Sequence, residues 1–301
     1  MSDYKDLIRE YKLKQILSSC HINFLFGAGV NGDFFPQMRG FTATTKLIET
    51  KLPLESSGNL ENDLSKLNPL DREDVLNCFI TEFNSYYKAL DYSKLSYFNM
   101  IQMIKTVYLM IDKTENTIDS MSKINVFTFN YDDFIENIID DQGIFVNVVN
   151  PKKLATIKYH NIVTKTIDTS HVVPSFTVSK LHGQVENGTL TRENIILPGS
   201  EKFNDVLNKN FFQLLFRMKT ELLRENSVLV VIGYSWNDEH ANHIVKDCIN
   251  NGLTVIWFRY KGDEVVPNDL IDSPMIVVDP LGVVQDTTLT FYELIKEVIK
   301  T

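Results

Sequence analysis

Cysteine is scarce in this sequence, and none of it pairs by spacing. Cys20, Cys78 and Cys248 lie far apart, with no C-x-x-C unit among them. That excludes a four-cysteine zinc ribbon and suits a reducing compartment. A basic surplus is missing too. Lys and Arg number 30 against 39 Asp and Glu, for a net charge of −9. This argues against a surface that tracks nucleic acid, so no direct nucleic-acid partner is expected. Long apolar runs are also absent. The longest, Val228 to Gly233, is far too short to span a bilayer. The charged stretch Met1 to Tyr11 lacks the apolar centre of a signal peptide. No internal repeat, low-complexity tract or splitting linker interrupts the chain. A soluble, cytoplasmic protein without membrane contact is expected, with 1–301 as a single domain. Its composition, 44% hydrophobic and 23% charged, is that of a globular chain with a full core.

The chain is organised around residues 22–33. The apolar run Ile22 to Phe26 reads as a buried strand and stops abruptly at Gly27-Ala28-Gly29. Gly27, Gly29 and Gly32 satisfy G-x-G-x-x-G, a spacing that lets backbone approach a pyrophosphate without Cβ clashes. Such a turn can equally be plain chain reversal. Asp33-Phe34-Phe35-Pro36-Gln37-Met38-Arg39-Gly40 follows, and Pro36 and Gly40 forbid the helix that a dinucleotide fold would begin here. The stretch is expected to be an aromatic lid over the phosphate turn.

Apolar strands then alternate with helical patterns. A leading helix is expected over 3–19 and a short one over 44–51, closed by Pro53. A helical insertion is expected at about 54–121, with stripes led by Val75, Phe79 and Phe83 and by Phe98, Ile104 and Ile111. Further strands are expected at 124–129, 176–181, 228–233, 253–258 and 275–278. Helices are expected from 134, over 203–223, up to Asn250 and over 287–300. Asn187-Gly188 suggests a hairpin, and 144–176 is poorly patterned apart from the β-like run Phe145 to Val149. The fold class is α/β: a Rossmann-like, mostly parallel sheet with helices on both faces.

Five polar punctuations each follow an apolar strand: Gly27-Ala28-Gly29, Asn130-Tyr131-Asp132, His182-Gly183, Ser235 to Asp238, and Asp279-Pro280. In an open parallel sheet the strand C-termini share one edge, where ligands bind. Each also has a structural reading. Asn130 could be a turn residue and Asp132 a helix cap; His182 could be a hydrogen-bonded loop histidine and Asp238 another cap. His240 and His243, three apart beside Glu239, do not fit the H-E-x-x-H zinc motif, and no metal is expected.

Taken in order, Phe26-Gly27-Ala28-Gly29, the aromatic stretch, Thr128-Phe129-Asn130-Tyr131-Asp132, Leu181-His182-Gly183 and Gly233-Tyr234-Ser235 resemble the sirtuin family. The look-alikes are the sirtuin-like domains of bacterial anti-phage defence proteins, whose motif resembles Gly-Tyr-Ser-Trp-Asn-Asp-Glu-His at 233–240. The resemblance implies NAD as substrate, with Gly27, Ala28 and Gly29 at the pyrophosphate. It implies Asn130 and Asp132 near the nicotinamide ribose, His182 as the catalytic histidine and Ser235 at the adenosine ribose and phosphates. Asp33, Phe34, Gly233 and Asp238 complete the expected NAD-binding set. Two departures from protein-deacylating sirtuins stand out: the missing four-cysteine module, and Phe129 where they carry Gln.

The expected chemistry is hydrolysis of NAD to nicotinamide and ADP-ribose by Asn130 and His182, through an oxocarbenium-like ribose. The resemblance further implies a defence effector that depletes NAD, with homo-oligomerisation and a partner such as a HerA-type ATPase. Two alternatives stay open: a module that senses NAD or ADP-ribose without chemistry, and a deacylase lacking the zinc module.

Overall fold

The computed structural model describes residues 11–53, 56, 60–112, 123–150, 175–196, 212–260, 270, 273–280 and 286–300. Seven strands form one sheet: β1 (His21–Phe26), β2 (Lys123–Thr128), β3 (Phe145–Val149), β4 (Ser175–Lys180), β5 (Ser227–Ile232), β6 (Thr254–Phe258) and β7 (Met275–Val278). Their order is β3-β4-β2-β1-β5-β6-β7, and every pairing is parallel. This is the expected α/β class. All six residues of β5 are buried, as a strand covered on both faces requires.

The described helices are α1 (Leu13–Ser19), α2 (Thr42–Lys51), α3 (Leu60–Lys66), α4 (Pro69–Lys88), α5 (Leu95–Asp112), α6 (Phe134–Asp141), α7 (Phe212–Leu222), α8 (Glu239–Asn250) and α9 (Thr287–Lys300). Strand alternation divides the apolar side chains into two cores. Phe24, Phe26, Val126, Val178 and Val230 pack with residues of α4, α5, α6 and α9. Leu25, Phe127, Leu229 and Val231 pack with Leu214 and Met218 of α7 and with Val245 and Cys248 of α8. Helices α2 to α5 occupy the stretch between β1 and β2. Helix α4 starts where its sequence says: Asn68 Oδ1 accepts from Asp71 N–H at 3.0 Å, and Pro69 fills the first turn.

Most element positions match the sequence pattern to within a few residues. Part of the leading helix (3–10), of the expected insertion (54–55, 57–59 and 113–121), of the helix expected at 203–223 (up to 211) and of the unpatterned stretch (151–174) lies outside the described residues. The β-like run Phe145 to Val149 is an edge strand, paired in parallel with β4. Two polar side chains interrupt the second core. Asn125 Nδ2 donates to Asn23 Oδ1 at 2.9 Å and to Glu221 Oε2 at 3.1 Å, which ties β1, β2 and α7 together.

Candidate functional site

Strand register brings the site together. Phe26 lies opposite Thr128 and Ile232, and Thr128 lies opposite Lys180. The next residues, Gly27, Phe129, Leu181 and Gly233, therefore leave the sheet at one level. The chain runs from β1 to β2 on one side and later crosses to β5 on the other. The C-terminal ends of β1 and β5 thus form the switch point where such sheets open a crevice.

At that switch point the glycines meet each other. Gly27 N–H donates to Ile232 O at 3.1 Å and Gly29 N–H to Gly233 O at 2.9 Å. A Cβ on Gly27 would stand 2.6 Å from Tyr234 Cα, and one on Gly29 2.8 Å from Gly233 Cα. Gly233 also has φ of +63°, a region L side chains rarely adopt. The glycine spacing is therefore required by two loops of the protein itself. Residues Ala28–Asn31 form a single 3-10 turn, with Ala28 exposed above it.

The aromatic stretch differs from the expected lid. Phe34 and Phe35 are both 3% exposed. Phe34 packs on Tyr97, Phe134 and Tyr92 at centroid distances of 4.7, 4.9 and 5.6 Å. Phe35 packs on Phe83, Phe134 and Phe41 at 4.9, 5.4 and 6.1 Å. Helices α4 and α5 bring their own aromatic stripes to this loop, and burying the rings there removes more apolar surface from water than covering a cleft. Asp33 is exposed at the start of the stretch, and the Lys94 ammonium donates to its backbone carbonyl. A groove of about 510 Å³ runs beside it, lined by Asp33, Phe34, Tyr86 and Lys94 among others.

The β2 loop carries Asn130 and Asp132, both buried. Asn130 Nδ2 donates to Gly27 O at 3.1 Å, and its backbone N–H to Thr128 Oγ1 at 3.1 Å. Asp132 Oδ2 accepts from Asn31 Nδ2 at 2.8 Å, joining this loop to the glycine turn a second time. Beneath them lies Lys180, 1% exposed, which donates to Asp132 O and pairs with Glu136 Oε1 at 3.0 Å. Burial pushes the carboxyls of Asp132 and Glu136 above their ordinary range, while the Lys180 charge pulls both down. Asp133 accepts from Tyr87 Oη at 2.6 Å, and burial followed by this bond holds the phenol up.

The β4 loop is fastened to the β2 loop by backbone bonds. Leu181 N–H donates to Thr128 O at 2.8 Å and Val185 N–H to Tyr131 O at 2.7 Å. The hairpin turns at Asn187 and Gly188, both at positive φ and between bridged Glu186 and Thr189. The His182 ring meets the Phe129 ring edge-on at 4.6 Å, and Phe129 stacks on Tyr234 at 5.3 Å. His182 Nε2 lies 3.3 Å from Asp238 Oδ2. The other oxygen, Oδ1, accepts from Ala241 N–H at 3.1 Å and caps α8.

Gly27, Asn130, Phe129, His182 and Asp238 thus form one continuous line of contacts across the ends of β1, β2, β4 and β5. Residues 124–269 match the family model of the SIR2-like domain. The SIR2-like stretch contains Asn130, Asp132, His182, Gly233, Ser235 and Asp238, and the glycine turn of β1 precedes it. Two solved structures are similar over nearly the whole chain. One is described as a Sir2 homologue in complex with NAD; it is 15% identical, with a TM-score of 0.45, covering 96% of this chain and 94% of that one. The other comes from work on the mechanism and regulation of Sir2 enzymes; it is 12% identical, with a TM-score of 0.45 and 98% of each chain covered. None of the curated proteins matches.

The remaining sequence candidates stand apart from that line. Ser235 is exposed and accepts from Asn237 Nδ2 at 3.0 Å. Asp279 is taken by Arg259 through two bonds of 2.6 and 2.7 Å. Among the described residues no group of three His, Cys, Asp or Glu side chains could hold a metal, and none of the helices is long and apolar enough to cross a membrane. Lys180, Glu136 and Asn31 are participants that sequence reasoning overlooks. Lys180 did carry a signal, since it ends a strand that is otherwise buried and so needs a buried partner.

Proposed function

We propose that the chain is an NAD glycohydrolase that cleaves NAD to nicotinamide and ADP-ribose. One observation carries the reading: Asn130 and His182 stand two residues beyond the paired Thr128 and Lys180, beside the glycine loops of the switch point. The resemblance to sirtuins and the SIR2-like match over 124–269 support NAD as the substrate. NAD would lie across the ends of β1 and β5, with its pyrophosphate over the exposed Ala28 turn and with Asp33, Gly233 and Ser235 at the rim.

The chemistry needs little from the protein beyond placement and charge. The nicotinamide of NAD leaves as a neutral base, so its departure requires no acid. As the C–N bond breaks, positive charge spreads over the ribose ring, which carboxylate and amide dipoles stabilise. Asn130 Nδ2 is engaged with Gly27 O, so its Oδ1 is the atom that accepts from a ribose hydroxyl or the attacking water. Water adds to the ribose carbon and His182 takes its proton. The products are nicotinamide, ADP-ribose and a proton.

Deacylation is disfavoured by the sequence itself. Its three cysteines cannot build a four-cysteine module, and Phe129 places an aromatic ring against His182. The resemblance also leads us to propose a cytoplasmic defence effector that depletes NAD, acting as a homo-oligomer with a HerA-type ATPase. Native mass measured with and without such an ATPase tests the assembly.

The decisive assay follows nicotinamide release from NAD by wild type, Asn130→Ala and His182→Ala, with NAD binding measured on the same samples. We expect release by wild type to fall roughly 100-fold or more in each variant, with binding kept within a few fold. Binding without release in wild type would favour the sensing module, and acyl-lysine consumption would favour the deacylase. Full cleavage by His182→Ala would falsify the assignment of the base.

A further inference from the structure

We propose that Asp238 is the positioning residue for His182, joining the imidazole to the N-terminus of α8. The proposal deepens the NAD-hydrolysing reading of this site and rests on it.

The two oxygens of Asp238 do different work. Oδ1 caps α8 through Ala241 N–H at 3.1 Å, and Oδ2 lies 3.3 Å from His182 Nε2. The side chain is 7% exposed, so its charge is screened little by solvent where it meets the ring. A neutral ring that turns Nε2–H toward Asp238 Oδ2, 3.3 Å away, keeps its lone pair on Nδ1. Once His182 accepts a proton, the adjacent carboxylate stabilises the imidazolium. Phe129 holds the ring from another side, edge-on at 4.6 Å. Asp238 and Phe129 are thus two of the groups that face the His182 ring. Tyr234, behind Phe129, has its hydroxyl 3.4 Å from Asn242 Oδ1 and 3.5 Å from Asp238 O.

This differs from Asp238 as a direct NAD contact, and from Asp238 as a cap and nothing more. Three variants separate the roles. Asp238→Asn keeps a cap of equal quality and removes the charge; Asp238→Ser keeps a cap but is too short to reach the ring; Asp238→Ala loses both. Each is followed by thermal melting, NAD binding, kcat and KM for nicotinamide release, and NMR titration of the His182 ring. We expect Asp238→Asn and Asp238→Ser to melt close to wild type and bind NAD normally. Their kcat should fall roughly 100-fold, and the His182 midpoint in Asp238→Asn should drop by about one unit. Wild-type kcat in Asp238→Asn, or an unmoved His182 midpoint, overturns the proposal. A rise in KM with kcat unchanged overturns it in favour of a direct substrate contact. Should wild type release no nicotinamide, the glycohydrolase reading falls by itself, and the His182 midpoint still decides the pairing.

Discussion

Lys180 is the residue on which the floor of the site depends. It is 1% exposed and holds two buried carboxylates, Glu136 directly and Asp132 through its field and its backbone carbonyl. Lys180→Met would leave both without a counter-charge, and we expect a loss of about 3–5 kcal/mol. The loss should depend on pH. Burial raises both carboxyls, so the folded chain keeps protons that the unfolded chain releases above about pH 4. Their favourable contribution is full below that pH and is lost as pH rises through the raised folded values. Removing the lysine raises those values further. The melting deficit of Lys180→Met against wild type should therefore be smaller at pH 5 than at pH 8, and an equal deficit would refute the network. At this scale the sequence was partly legible. Asn130 and His182 stood out because polar residues followed apolar strands. The pairing of Asn31 with Asp132 spans a hundred residues, and no local pattern could disclose it.

Among the elements, the loop after β1 gives the sharpest contrast between expectation and packing. No α-helix forms at Pro36 and Gly40, only a 3-10 turn over Met38–Gly40, but where Phe34 and Phe35 point depends on aromatic rings that α4 and α5 deliver from far along the chain. As core residues they should be costly to truncate. Phe35→Ala should destabilise by about 3–5 kcal/mol in denaturant unfolding, whereas a ring lying over an open cleft would cost far less. Two of the glycines at positive φ, Gly188 and Gly233, offer a second comparison. Gly188 has open space around it, so Gly188→Ala should cost only about 1–2 kcal/mol of backbone strain. Gly233→Ala adds a Cβ against the backbone of Gly29 and Val30, and we expect it to unfold the switch point or prevent accumulation of folded protein. Similar melting temperatures for the two variants would argue against the backbone-to-backbone docking.

For the molecule as a whole, the class of fold was readable because a parallel sheet covered on both faces writes its strands as short apolar runs. Strand order was not readable in the same way. It depends on which strand crosses over β1, and no residue in β4 or β5 announces that. Burial should grade the stability of the sheet. The side chains of β5 are all buried, whereas β3 and β7 are partly exposed at the two edges. Amide hydrogen exchange should be slowest in β1, β2 and β5 and faster in β3 and β7; edge strands as protected as β5 would contradict this grading.

The glycine contacts at the switch point bear on how such chains change over descent. Gly27, Gly29 and Gly233 are fixed by one another's backbone, whatever binds above them. On the proposed reading, a lineage that gave up NAD cleavage would still need all three to close its sheet, while Asn130 and His182 would be released to drift. The glycine signature would then mark the fold, and under the proposed function the amide and imidazole in the neighbouring loops are the residues whose loss would record a change of occupation.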